Sequence, residues 1–200
     1  MFSLQKPTQS LIKEALETLR SLPVSRGVPL GTEGGLGKVY VPPGYSLDQT
    51  RSEIGRGAAA FACAKTALRR WQQFDLGWVR VANPEVEIRT GELVVVEAHS
   101  LGLWSLNLSR ILYVIDEPNR FGFGYSTTAM HVERGEERFL LEYDPASESL
   151  YYDLLAVSQP AHWLARLGYP YTRSQQRRFA IQSHRRMRRA ILESQLYKAF

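Results

Sequence analysis

Apolar residues at Leu11, Ile12, Ala15, Leu16, Leu19 and Leu22 recur at three- and four-residue steps, so Thr8 to Leu22 reads as an amphipathic helix. Thr8 suits its N-cap and Pro23 stops it. A second helix spans Ala58 to Phe74. At about 100° per residue, Ala60, Phe61, Ala64, Ala67, Leu68, Trp71 and Phe74 share one side, with Lys65, Arg69, Gln72 and Gln73 opposite. So broad an apolar face calls for a broad surface to pack on, and a sheet supplies one. After Phe74 the period changes to two. LGWVRVA, LVVVEAH, LWSLN, RILYVIDE, RFGFGYST, RFLLEYD and SLYYDLLAVS read as successive short strands. The chain returns to helix at its end, with a short segment at Ala161 to Leu167 and a long one from Arg173 to about Tyr197. The long helix carries Phe179, Ser183, Met187, Ala190 and Ser194 on one side and Arg178, Arg185 and Arg189 on the other.

The links between strands decide how the sheet runs. Glu117-Pro118-Asn119-Arg120 and Asp144-Pro145-Ala146-Ser147 put Pro at the second turn position, which closes neighbouring strands antiparallel. No helical pattern separates Leu76 from Ser158, so the parallel crossovers of an α/β fold are excluded. The expected class is α+β: a helix, an antiparallel meander and a long terminal helix that closes over the curved sheet without filling the space beneath it. Residues 24 to 45 are rich in Gly, Pro and Val and read as a loop with one short strand at Lys38 to Pro42. Residues 1–44 therefore look like an extension docked on a core of residues 45–200, the whole forming a single domain.

Composition narrows this picture. Two hundred residues, 44% of them hydrophobic, suffice for one substantial core. No run of 18 apolar residues exists, and the start MFSLQKPTQS lacks the order of a secretory signal, so a soluble cytoplasmic protein is expected. The single cysteine, Cys63, has no internal partner and reads as a small buried hydrophobe. The net charge of +5 is uneven, because Arg173, Arg177, Arg178, Arg185, Arg186, Arg188 and Arg189 crowd the terminal helix. That face could meet an anionic membrane or a protein partner. Nucleic acid is the poorer fit, since no aromatic residues interleave with the arginines.

Candidate chemistry is sparse. GTEGGLGK fails the phosphate-loop spacing: Thr32 stands where the first glycine belongs, and Val39 where Ser or Thr should hold magnesium. RFGFGY has Phe121 where an RNA-recognition strand needs glycine. His99, His131, His162 and His184 show no metal-ligand spacing, so neither a metal nor a cofactor is expected. His131 reads as part of a loop, with Glu136 and Glu137 close behind it, a possible acid–base group. Arg110, Tyr113, Tyr125, Glu142, Tyr152 and Asp153 are polar groups set among apolar strand residues. Gly122 and Gly124 leave one face of their strand bare, which permits strong curvature or close approach by another group.

Five motifs together are similar to the uncharacterised family named domain of unknown function nineteen-ninety. They are TRSEIGRG at Thr50 to Gly57, AFACAKTALRRWQQFDLGWV ending at Val79, SRILYVIDEPNRFGFGYST at Ser109 to Thr127, GEERF at Gly135 to Phe139, and AVSQPAH at Ala156 to His162. The resemblance implies a START-like helix-grip fold, in which an antiparallel sheet wraps a long C-terminal helix and leaves an apolar cavity. It supplies no catalytic residues. STTAMH at Ser126 to His131 departs from the family's usual GTLPGH-like run, and Ser109 replaces a common Cys. The expected function is binding of a small hydrophobic or amphipathic molecule, with Arg110, Tyr113, Tyr125, His131, Glu136, Glu137 and Tyr152 as candidate contacts. The alternatives are an enzyme using His131 with Glu136, Glu137 or Tyr125, and an interaction protein using its basic helix.

Overall fold

The computed structural model describes residues 2–21, 30–128, 131, 133–160 and 169–197. Its strands are β1 (Phe2–Ser3), β2 (Ser46–Arg56), β3 (Val79–Val81), β4 (Leu93–Ser100), β5 (Leu103–Glu117), β6 (Arg120–Thr127), β7 (Glu133–Asp144) and β8 (Ser149–Pro160). They form one antiparallel sheet in the order β2-β8-β7-β6-β5-β4-β3, with β1 added against β5. Three α-helices are described: α1 (Gln9–Ser21), α2 (Gly57–Arg69) and α3 (Tyr169–Tyr197).

The inner face of the sheet holds α2 and α3. Phe121, Phe123, Phe139, Leu141, Tyr152 and Leu154 project from it into a core shared with Ala64, Leu68 and Trp71 of the first half and Met187 and Ile191 of α3. Aromatic rings tie the layers together, with Trp71 edge-on to Phe123 at 5.2 Å between centroids, and Phe74 at 5.3 Å from Phe139. Each such pair adds roughly 0.5–1.5 kcal/mol beyond its burial. On α3 the small inner residues do what their pattern requires: Ser183, Met187 and Ala190 are buried while Arg185 and Arg189 are exposed. The outer face carries α1, whose Ile12, Ala15 and Leu19 pack on Leu93, Val95, Leu106 and Leu108.

Several expectations are corrected. The second helix ends at Arg69, because Trp71 takes a left-handed backbone (φ 59°) that breaks the hydrogen-bond ladder, and a short 3-10 turn at Gln72–Phe74 follows. Trp71 and Phe74 are nevertheless buried, as their spacing predicts. LWSLN and RILYVIDE are one strand, β5, which shifts register between Ile111 and Tyr113. The expected strand at Lys38 to Pro42 is absent, and the chain there makes 3-10 turns at Thr32–Gly34 and Leu36–Lys38. Strand β2 has no counterpart in the sequence reading. The helix expected at residues 161–167 lies outside the described residues.

The bare face of β6 is the outer one. A Cβ at Gly124 would sit 2.2 Å from the Tyr113 ring, and one at Gly122 would sit 2.2 Å from the carbonyl oxygen of Phe139. These glycines admit a tyrosine and a neighbouring strand, while the phenylalanines of the same strand fill the core.

Candidate functional site

Strand β7 reaches further back than its apolar residues suggest, and this places the site. Phe139 and Leu141 face the core, so a period of two carries Glu137, Gly135 and Glu133 along the same inner face. The first turns of α3 pass over that end, a cavity of about 610 Å³ lies between, and no described residue of α2 borders it. Phe74, Trp78, Val96, Leu154, Ala156 and Phe179 make its wall largely apolar.

Two carboxyl groups face this space. Tyr125 donates its hydroxyl to Glu137 Oε2 at 2.5 Å, and among the described residues Tyr125 is the hydrogen-bond partner of that carboxyl. Burial pushes Glu137 up to about 7 against the pull of the Tyr125 hydrogen bond, and the charge of Asp48 adds to the rise. Glu133, four residues earlier, is also held at about 7, by burial first and then by the charge of Glu137, while Gln176 and Arg173 work against the shift. Burial likewise drives the Tyr125 phenol well above its ordinary range. Both acids therefore exchange protons near neutrality in an apolar setting, where a fixed charge is costly.

A polar chain crosses the rim and joins α3 to the sheet edge. Asp48 of β2 receives both terminal nitrogens of the Arg173 guanidinium, one of them at 2.5 Å. Arg173 also donates to Gln176 Oε1 at 2.8 Å, and Gln176 Nε2 donates to Glu133 Oε1 at 2.6 Å. Further along the same edge, His184 bonds Thr50 and Ser52 at 3.0 and 2.7 Å. This explains why β2 escapes the hydrophobic pattern: its inward residues Asp48, Thr50 and Ser52 meet polar groups of a helix, and only Ile54 is fully apolar and buried.

The candidate residues divide. Tyr125, His131 and Glu137 border the cavity with their side chains on the inner side. His131 Nδ1 lies 3.0 Å from the Glu133 N–H and 3.2 Å from the Glu133 carbonyl oxygen, and burial lowers the imidazole to about 4, which keeps the ring neutral at pH 7. Tyr152 is on the inner face but fully buried beneath α3, with its hydroxyl 3.1 Å from Ser183 Oγ. Arg110, Tyr113 and Glu136 point to the other face of the sheet. Arg110 donates to the carbonyls of Gly91 and Leu19, the latter in the last turn of α1. Glu136 is a strand residue and not part of a loop; it accepts from Leu30 N–H and Thr32 Oγ1, each at 3.0 Å. Tyr113 bonds the same Thr32 hydroxyl at 2.8 Å. The expected grouping of His131, Glu136 and Glu137 does not form, because adjacent strand residues face opposite ways.

Glu133, Asp48, Arg173 and Gln176 were not among the candidates. Glu133 had a signal in its even spacing from Phe139, masked by the glycine and charges between them. Asp48 had none. Among the described residues no group of three acidic, His or Cys side chains is placed to hold a metal ion, and no helix is long and apolar enough to cross a membrane.

Residues 32–186 match the family described as Domain of unknown function (DUF1990). The chain belongs to this family. Among curated relatives, a UPF0548 protein of Dictyostelium discoideum is 34% identical over 211 residues, covering 98% of each chain. A UPF0548 protein of Deinococcus radiodurans is 37% identical over 172 residues, 76% of this chain and 86% of its own. Among solved structures, Ara h 8.0201 superposes with a TM-score of 0.50 at 14% identity, over 75% of this chain and 99% of that one. At that identity the likeness shows the fold alone: a curved antiparallel sheet gripping a long C-terminal helix, of the helix-grip type found in START-like proteins.

Proposed function

We propose that this family member binds a small amphipathic molecule in the cavity between the sheet and the N-terminal half of α3. The observation that supports this most is the wall itself, an apolar space of about 610 Å³ into which the Tyr125–Glu137 pair projects. Ligand pockets of roughly 300–1,000 Å³ share this make-up: mostly apolar lining with a few polar groups that fix orientation. Apolar side chains around such a space lose contacts that a packed interior would supply, and an apolar ligand body restores them. Of the groups the acid–base alternative names, Tyr125, His131 and Glu137 border the cavity, while the Glu136 carboxyl is bonded on the other face of the sheet. A cytoplasmic location goes with this reading, since the one cysteine is buried and unpaired.

Native mass spectrometry of gently purified protein, set against the denatured chain, should show an added small-molecule mass. Ala156→Phe, which fills the cavity from β8, should remove that mass and weaken a solvatochromic apolar probe at least tenfold while the fold persists. An unliganded native mass together with probe affinity unchanged by Ala156→Phe would overturn the reading.

A further inference from the structure

We infer that the molecule held in this cavity carries a cationic nitrogen, received by Glu137 and Glu133, at the end of an apolar body. This rests on the cavity being a binding site and adds what the site selects. The first ground is charge balance. The protein as a whole carries +5, yet the space beneath α3 is acidic. The charged groups around it are Glu133, Glu136 and Glu137 of β7, Asp48 of β2, and Arg173 and Arg177 of α3, with the carboxyl of Glu136 bonded on the outer face; the N-terminal ammonium is felt at His131. Asp48 and Arg173 engage each other through both guanidinium ends. Arg177 is exposed and turns back to the Arg173 carbonyl at 3.4 Å. Among the described residues, Glu133 and Glu137 are the inner-face lining carboxyls that form no ion pair. The neutral His131 and the Tyr125 hydroxyl beside them supply no positive charge.

The second ground is hydrogen bonding. Tyr125 donates to one oxygen of Glu137 and Gln176 to one oxygen of Glu133, and among the described residues the second oxygen of each of these cavity-lining carboxyls receives no side-chain donor. A half-buried carboxylate that receives one bond in an apolar space gains from more donors or an opposite charge. An ammonium group brings three donors and the charge at once. An alcohol brings one donor, and a carboxylate brings repulsion. Near-neutral titration of both acids supports the same choice, because a cation entering the site would draw their protons off and convert an unfavourable charge into a paired one.

The test compares decylamine, decanol and decanoate, which share one apolar body, as ligands for the whole protein by calorimetry at pH 7.5. The amine should bind at least tenfold more tightly than the alcohol, and decanoate more weakly than either. Glu137→Gln should shrink the amine-to-alcohol ratio at least fivefold, while Glu117→Gln, an exposed acid in the β5–β6 turn, should not change it. The wild-type protein gives a second measure free of any folding defect: the ratio should fall as pH is lowered from 8 to 5.5, where decylamine stays protonated and the two acids do not stay charged. Equal binding of amine and alcohol at all pH values would overturn the cation and keep the cavity. Tighter binding of decanoate would do the same. Failure of all three to bind would remove both readings together.

Discussion

Strand β7 carries carboxylates on both of its faces, buried on the outer and half-buried on the inner, and treats them in opposite ways. On the outer face Glu136 accepts from Leu30 and Thr32, and Arg138 donates to Asp153 at 2.7 Å and to the Thr32 carbonyl at 3.1 Å. Gln49 adds a further bond to Asp153 at 2.7 Å. Two acids, an arginine and a loop close on one another, and Arg138 and Asp153 are almost fully buried. On the inner face Glu137 has the Tyr125 hydroxyl and, among the described residues, no ion-pair partner. One face is an ion-paired joint that pins residues 30–38 to the sheet, with Arg138 Nε as its one buried nitrogen lacking a partner among the described residues. The other is left open in the same physical terms, and a partner from outside the chain is what would complete it.

The largest expected effect comes from breaking the ion-paired side. Arg138→Met leaves Asp153 buried with Gln49 and the half-exposed Arg51 at 4.0 Å, and takes one of two donors from the Thr32 carbonyl, so unfolding in urea should show a loss of about 3–5 kcal/mol. A loss below about 1 kcal/mol would mean that solvent reaches the joint and that the two faces differ less than their geometry says.

The open side should show itself through pH. Glu137 holds its proton to about pH 7 in the folded protein, against an ordinary value of 4.5. Between those values the native state binds more protons than the unfolded chain, so stability falls as pH rises from about 4.5 to about 7 and levels off above. For Glu137 alone the fall is on the order of 3 kcal/mol. Glu137→Gln should match the wild type at pH 5 and exceed it at pH 8, with Glu133 keeping a residual slope. Parallel stability curves for the two proteins would show that Glu137 is not held protonated.

The outline of this molecule was legible in its sequence where side-chain burial is periodic. The apolar steps of α1 and α3, the strand Arg120–Thr127, and the Pro-bearing turns before and after β6 and β7 each follow from local pattern. The alternation failed where strands bury polar groups. Ser46–Arg56 carries Asp48, Thr50 and Ser52 inward, and Glu133–Glu137 carries two acids inward around a glycine, so neither reads as half of an apolar face. Those two stretches build the rim and wall of the cavity. The site was thus least legible where it is most distinctive, because a polar group facing a cavity leaves the same trace in a sequence as one facing solvent. Tyr113 and Tyr125 show a related limit. The register shift between Ile111 and Tyr113 turns Tyr113 outward, and nothing in RILYVIDE marks it.

Those two tyrosines offer the smallest and sharpest contrast. Each sits against a carboxylate system through its hydroxyl: Tyr113 by way of Thr32 on the outer face, Tyr125 directly on Glu137. Removing either hydroxyl should cost about 0.5–1.5 kcal/mol. The pH dependence separates them. Thr32 does not titrate, so the cost of Tyr113→Phe should be constant between pH 5 and 8. The Tyr125 hydroxyl favours the ionised form of Glu137, so Tyr125→Phe should cost little at pH 5 and its full amount at pH 8. The pH at which stability levels off should also move upward, because Glu137 then ionises later. Chemical denaturation of both variants across that range decides the matter. Equal, pH-independent costs would mean that the inner carboxyl is as well satisfied as the outer one, and the case for a missing partner would fall with it.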